Sequence, residues 1–236
     1  MSYEIKWAGT PNFREGRGGR KPLAIVDHIT AGQYPGTLTW MQNPRAQASA
    51  HYLVTRRGEI LQLVKDEDTA WANGIANKPS WKLYDSSNPN RYTLSIEHEG
   101  YREFGGDGNL SEEQYAATLW LHRHLLQKWQ ISIDEDHIIG HYRIDSVNRP
   151  NCPGPKFPWE RLFQDLRSGG ERISTDVKLA VNGQMMSERS LRIRDGVSEA
   201  LLAGQWVPLR EIAGLLGAEI SWDSGDRTVR INMPGA

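Results

Sequence analysis

The residues best equipped for chemistry in this chain are seven histidines and a single cysteine. Three of them stand where a fold could fix them. His28 follows the short apolar run PLAIV (22–26), and His141 ends the run IIG (138–140). Cys152 lies eleven residues further on (152 − 141), in a segment stiffened by Pro150, Pro153 and Pro155. Side chains at strand ends and in rigid loops keep a fixed geometry, which a metal site needs. Two imidazoles and a thiolate suit zinc, which takes nitrogen and sulfur ligands tetrahedrally and keeps a fourth position open when the protein supplies three. Zinc would lower the pKa of a water there to about 7. Spacing alone does not establish this set. His28 precedes His141 by 113 residues (141 − 28), so no local zinc motif is present. A lone cysteine is more often a small buried hydrophobe. A third option is a thiol nucleophile, which would need an exposed Cys152 of low pKa.

These residues need a scaffold to bring them together. The run 22–26 is bounded by turn residues and reads as a buried strand, with His28 just past its end. HYLVT (51–55) and EILQLV (59–64) flank Arg56-Arg57-Gly58 and predict a hairpin. Residues 73–90 are rich in Gly, Pro, Ser and Asn and predict a long loop. A strand follows over 93–97, carrying Glu97, with Glu99 at the same parity. Ser111 followed by Glu112 and Glu113 is a helix start, and the helix should run to about Trp129 with Tyr115, Leu119, His122 and Leu126 on one face. A closing helix is expected over 159–166. Strands alternating with helices indicate an α/β domain on a mixed central β-sheet flanked by helices.

The texture changes near Ser168-Gly169-Gly170, which divides the chain into 1–168 and 169–236. The second part carries Asn-Gly and Asp-Gly turns, a helix opened by Pro208 and closed by Gly217, and a hairpin around Ser224-Gly225-Asp226. It reads as a small α+β domain.

Composition removes several function classes. A formal net charge of −1 gives no basis for nonspecific nucleic-acid binding. One cysteine excludes an intramolecular disulfide. No stretch approaches the roughly 20 apolar residues of a membrane span, and MSYEIKWAGTPNF lacks a signal-peptide core. The expectation is a chain made in the cytoplasm without a signal peptide and not inserted in a membrane.

The stretches VDHIT, SAHYLVTRRGEILQLV, TAWANG, LSIEHEG, IIGHYRID and NCPGPKFPW occur in this order. Together they resemble the type-2 N-acetylmuramoyl-L-alanine amidases, a family that includes phage endolysins, bacterial wall hydrolases and peptidoglycan recognition proteins. The resemblance covers roughly the first 165 residues. It implies a single catalytic zinc ion held by His28, His141 and Cys152, with Glu97 as the catalytic acid/base. The implied reaction is hydrolysis of the amide between N-acetylmuramic acid and L-alanine. Zinc would polarise the carbonyl, while Glu97 moves a proton from the attacking water to the leaving amine. Released onto the bacterial cell wall, such a chain would act as an endolysin or autolysin.

The sequence departs from the family in two places. Pro150 stands where many members carry a lysine that supports the oxyanion, leaving Arg149 as the candidate and Lys156 as a weaker one. AWANG replaces an AWHAG-like stretch, so Trp71 and Asn73 are the candidates for the substrate groove there. A non-catalytic peptidoglycan-binding module is the alternative function, although such members typically lack the cysteine. The segment GQWVPLREIAGLLGAEISWDSGDRTVRI resembles the copper amine oxidase N-terminal-like domain. It offers no His or Cys for copper, and a wall-binding or association role is expected by analogy.

Overall fold

The computed structural model describes residues 3–101, 106–168, 172–173, 178–186, 191–194, 197–202, 205–223 and 228–234. The chain divides into two compact units, Ser2–Phe163 and Gln164–Ala236.

In the first unit the chain runs β1 (Ile5–Trp7), β2 (Phe13–Arg14), β3 (Ala24–Ile29), α1 (Gly36–Gln42), β4 (Tyr52–Val54), β5 (Ile60–Gln62), β6 (Thr69–Ala70), β7 (Thr93–His98), α2 (Glu112–Trp129) and β8 (Ile138–Gly140), and α3 (Trp159–Arg167) spans the division between the units. Six strands form one mixed sheet in the order β1-β5-β4-β7-β3-β8. Only the β4–β5 hairpin is antiparallel, and the other neighbours pair in parallel. β3 and β7 are adjacent interior strands, and Ala24, Ile25, Val26, Leu94 and Ile96 are wholly buried. Strands covered on both faces read as continuous apolar runs, which is how β3 announces itself.

The α2 helix starts where its cap chemistry dictates. The Ser111 hydroxyl accepts from the Gln114 N–H, and Glu112 and Glu113 complement the positive end of the helix dipole. Its buried face is broader than the expected stripe: Leu121 and Leu125 fill the core alongside Tyr115, His122 and Leu126, while Leu119 is only half-buried. The Gln114 side chain donates to the carbonyls of Val54 and Glu99, tying α2 to the ends of β4 and β7.

Two expectations change in the structure. β3 extends through His28 to Ile29, so His28 is a ladder residue and not a strand-end one. β1 and α1 also form although neither segment has a clear period. β1 is an exposed three-residue edge strand, and α1 buries only Met41.

The Gly/Arg-rich segment before β3 has a structural task. Arg17 is buried and donates to the backbone carbonyls of Asp66, Asn90 and Thr93. Replacing Arg17 by alanine would strand these acceptors without water. We expect a loss of roughly 2–4 kcal/mol, measured as a drop in the urea midpoint, and an unchanged midpoint would refute the clamp.

In the second unit β9 (Arg172–Ile173), β10 (Lys178–Val181), β11 (Gln184–Met185), β12 (Leu191–Arg194), β13 (Val197–Leu202), β14 (Gln205–Pro208), α4 (Leu209–Leu216), β15 (Glu219–Asp223) and β16 (Thr228–Asn232) form two four-stranded sheets and a helix. Leu179, Ala200, Leu209 and Ile231 make its core. Asn182 and Gly183, at φ 50° and 74°, form the two-residue turn joining β10 to β11. α4 closes on Gly217 at φ 62°. The Asp195-Gly196 turn and the 224–226 turn lie outside the described residues.

Candidate metal centre

The parallel register of β3 and β7 sets His28 directly opposite Glu97. Cβ atoms at paired positions point to one face of a sheet, so the imidazole and the carboxylate stand side by side. The next strand over, β8, ends at Gly140 and runs into a single 3-10 turn, His141–Arg143, that carries His141. Tyr142 N–H then donates to the Cys152 carbonyl at 3.1 Å, fixing the loop that bears the thiol. One ligand atom from each of His28, His141 and Cys152 lies within 4.8 Å of the others. The two imidazole centroids are 4.5 Å apart with planes inclined at 59°.

Hydrogen bonds orient these groups. His141 Nε2 donates to the Asn73 carbonyl at 3.0 Å. A carbonyl can only accept, so Nε2 carries the proton and Nδ1 is left with its lone pair. Asn73 is itself held, receiving support from Asn90 Oδ1 at its N–H and donating to Thr93 Oγ1. The His28 carbonyl accepts from His98 Nδ1 at 2.9 Å. His98 belongs to the opposite face of the sheet, where buried Asp27 lies 3.2 Å from His122 Nε2 and 3.8 Å from His98 Nε2.

Two polar atoms at the centre lack any partner: His28 Nε2 and Glu97 Oε2, both buried. Buried polar atoms are ordinarily satisfied. Two imidazoles and a thiol fit a divalent cation of borderline softness, which His28, His141 and Cys152 would hold.

Burial sets the electrostatics. It holds the His28 imidazole well below its ordinary pKa, reinforced by His141 and His98, with the Asn73 side chain pulling slightly upward. His141 is lowered by the same cause, opposed by its bond to Asn73. Both rings are therefore neutral at pH 7 and can offer lone pairs. Burial pushes the Glu97 carboxyl up to about 8, against the pull of the Arg149 charge. A carboxyl near neutrality suits proton transfer at physiological pH. The Cys152 thiol is pushed up to about 12 by burial and then by the Glu97 charge, while the Ile29 backbone and Arg149 act the other way.

The remaining candidates fall around this centre. Arg149 is exposed, and its charge is felt by Glu97, His28, His141 and Cys152. Trp71 is 36% exposed, whereas Asn73 is buried beneath His141. Lys156 pairs with Asp107 at 2.8 Å. Glu99 points elsewhere, accepting from the N–H groups of Tyr34 and Arg56. Sequence reasoning missed the orienting roles of the Asn73 carbonyl and of His98. A backbone acceptor leaves no trace in residue type, but the His at 98, next to Glu97 and opposite in parity, was a usable signal.

The Cys152 loop is also locked from outside. Gly154 has φ +131°, and a Cβ there would sit 2.2 Å from the Asp107 carbonyl. Gly108, at φ +88°, faces the Pro153 carbonyl and Phe157 N–H in the same way. Lys156 N–H donates to the Asp107 carbonyl at 2.9 Å. Two glycines thus let two backbones touch, as only glycine allows.

Similarity to known proteins bears on the family and the fold. N-acetylmuramoyl-L-alanine amidase A of Achromobacter lyticus is 26% identical over 184 residues, covering 71% of this chain and 96% of that protein. The 1,6-anhydro-N-acetylmuramyl-L-alanine amidase AmpD of Haemophilus influenzae is 31% identical over 121 residues, and the match spans 60% of its length. In fold, a crystal structure of an AmpD derivative superimposes with a TM-score of 0.55 at 23% identity, covering 70% of this chain and 99% of that one. The catalytic domain of XlyA gives 0.51 at 22%, covering 68% and 97%. Residues 18–155, more than half the chain and including the clustered His28, His141 and Cys152, match the profile described as N-acetylmuramoyl-L-alanine amidase, and the chain belongs to that family.

Proposed function

We propose that the chain hydrolyses the amide bond between N-acetylmuramic acid and L-alanine in bacterial peptidoglycan, using one zinc ion held by His28, His141 and Cys152. The observation that carries this reading is the convergence of the three donor atoms within 4.8 Å, with Glu97 in register beside His28. The bound ion supplies Lewis acidity toward the scissile carbonyl and acidifies water. Glu97 accepts a proton from the attacking water and returns it to the leaving amine; burial alone favours its neutral form, and the charge of a bound cation would favour the ionised form this task needs. Asn73 holds the His141 ring so that Nδ1 faces the centre. Arg149 supports the developing oxyanion, and Trp71 lines the approach. Residues 1–168 form the catalytic domain. Residues 169–236 form a small module of the copper amine oxidase N-terminal-like type, serving wall binding or association. Among the described residues no helix is long and apolar enough to cross a membrane. In this reading the protein works on the wall as an endolysin or autolysin.

Digestion of purified peptidoglycan tests the bond assignment. New amino groups should appear without new reducing sugars. New reducing ends would mean glycosidic cleavage and would overturn the proposal.

A further inference from the structure

Beyond the metal centre, the C-terminal end of the sheet carries a groove of about 640 Å³. Its position follows from topology. β3 continues into Thr30, Gln33, Tyr34, Thr37 and Trp40, and β7 continues into Tyr101; together these line the groove. The Gly32–Gly100 bridge and the Thr30 hydroxyl, accepting from Gly100 N–H at 3.2 Å, hold the two continuations together. Thr30 lies two residues past His28, so the groove begins at the same end of β3 as the centre.

Its chemistry is distinctive in two respects. None of the ten lining residues carries a charge. The nearby carboxylate of Glu99 is committed behind the loop, to the N–H groups of Tyr34 at 3.0 Å and Arg56 at 2.8 Å. Three of the lining residues are aromatic, and Trp40 is 58% and Tyr34 36% exposed. Large aromatic faces left in water at a concave site, with an amide and a hydroxyl beside them, suit a flat, neutral, hydroxyl-bearing ring. The peptide stem of peptidoglycan ends in carboxylates and would be drawn to a cation. Arg149, exposed and following β8 on the other flank of β3, is such a cation. An uncharged sugar has no such need.

We propose that this groove is a subsite for an N-acetylglucosamine unit of the glycan strand, stacked on Trp40 and flanked by Tyr34 and Tyr101. The proposal deepens the amidase reading and rests on it for the substrate class. The strand would lie over the β3–β7 side of the centre and the peptide stem over the β8 side. The subsite would make the enzyme favour polymeric wall over muropeptides that lack N-acetylglucosamine.

The test is calorimetric titration of the full-length protein with tri-N-acetylchitotriose, a neutral N-acetylglucosamine trimer. Wild type should bind saturably. Trp40→Ala should weaken binding on the order of tenfold or more, since a stacked aromatic contact carries that much. Trp40→Phe should recover most of it, and Glu97→Ala should bind as wild type. No saturable binding by wild type at millimolar trimer, or equal binding by Trp40→Ala, would overturn the subsite. The titration involves no hydrolysis, so the two readings fail separately. A protein that binds the trimer but cuts no wall keeps the subsite and loses the amidase reading. One that cuts wall but ignores the trimer does the reverse.

Discussion

Replacing Glu97 by alanine should reduce kcat on peptidoglycan about 10²- to 10⁴-fold, the range expected when a general acid/base is removed. KM should change little, because the group acts on the water and the leaving amine and does not hold the substrate. Stability should be nearly unchanged. Glu97 Oε2 is buried with no hydrogen-bond partner, so its removal leaves no neighbour stranded and relieves a desolvated carboxyl. Glu97→Gln should be equally inactive, since the amide keeps the shape and cannot take the proton. Metal content, read by atomic absorption, should match wild type in both variants. Full activity in Glu97→Ala would remove the carboxylate from the mechanism while leaving the metal centre standing.

Stripping the cation with a chelator should abolish hydrolysis, and added Zn²⁺ should restore it. His28→Ala should show the same loss without a chelator, because it removes one of the three convergent donors, whose Nε2 has no hydrogen-bond partner. Chelation should also lower thermal stability. An ion at a hundred times its dissociation constant contributes about 2.7 kcal/mol to the folded state, so a fall of several degrees in Tm is the independent readout. The same experiment separates a thiol hydrolase. With the thiol pushed up to about 12, Cys152 of the stripped protein holds its proton at pH 7 and should react slowly with iodoacetamide. Full activity after stripping, together with rapid inactivation by iodoacetamide, would make Cys152 the nucleophile and end the zinc proposal.

The sequence exposed those parts of the fold that depend on burial and capping. β3 opens on the apolar run Ala24–Val26 because both its faces are covered, and α2 begins after Ser111 because its first turn needs a cap. The donors of the centre were visible as residue types, but their meeting was not. His28 and Cys152 approach through the order β7-β3-β8, a long-range pairing that no window of sequence encodes. The family resemblance supplied that missing distance. Where it is silent, chemistry hidden in the backbone stayed hidden. The Asn73 carbonyl orients His141, and the Thr30–Trp40 turn builds a groove from residues that individually look like ordinary loop. Tyr34 and Trp40 are separated by six positions (40 − 34) and share no period, so nothing in their spacing marks them as one surface.

The contact between Gly108 and Gly154 bears on how this catalyst could be re-engineered. The thiol-bearing loop and the Asp107–Gly108 turn fit only as a matched pair, since a single methyl at 154 would collide with the Asp107 carbonyl. A graft that imports the 150–157 segment from a relative, to install a lysine in place of Pro150 for instance, must import the turn at 107–108 with it. Chimeras cut between the two would carry every metal donor and still misplace one of them.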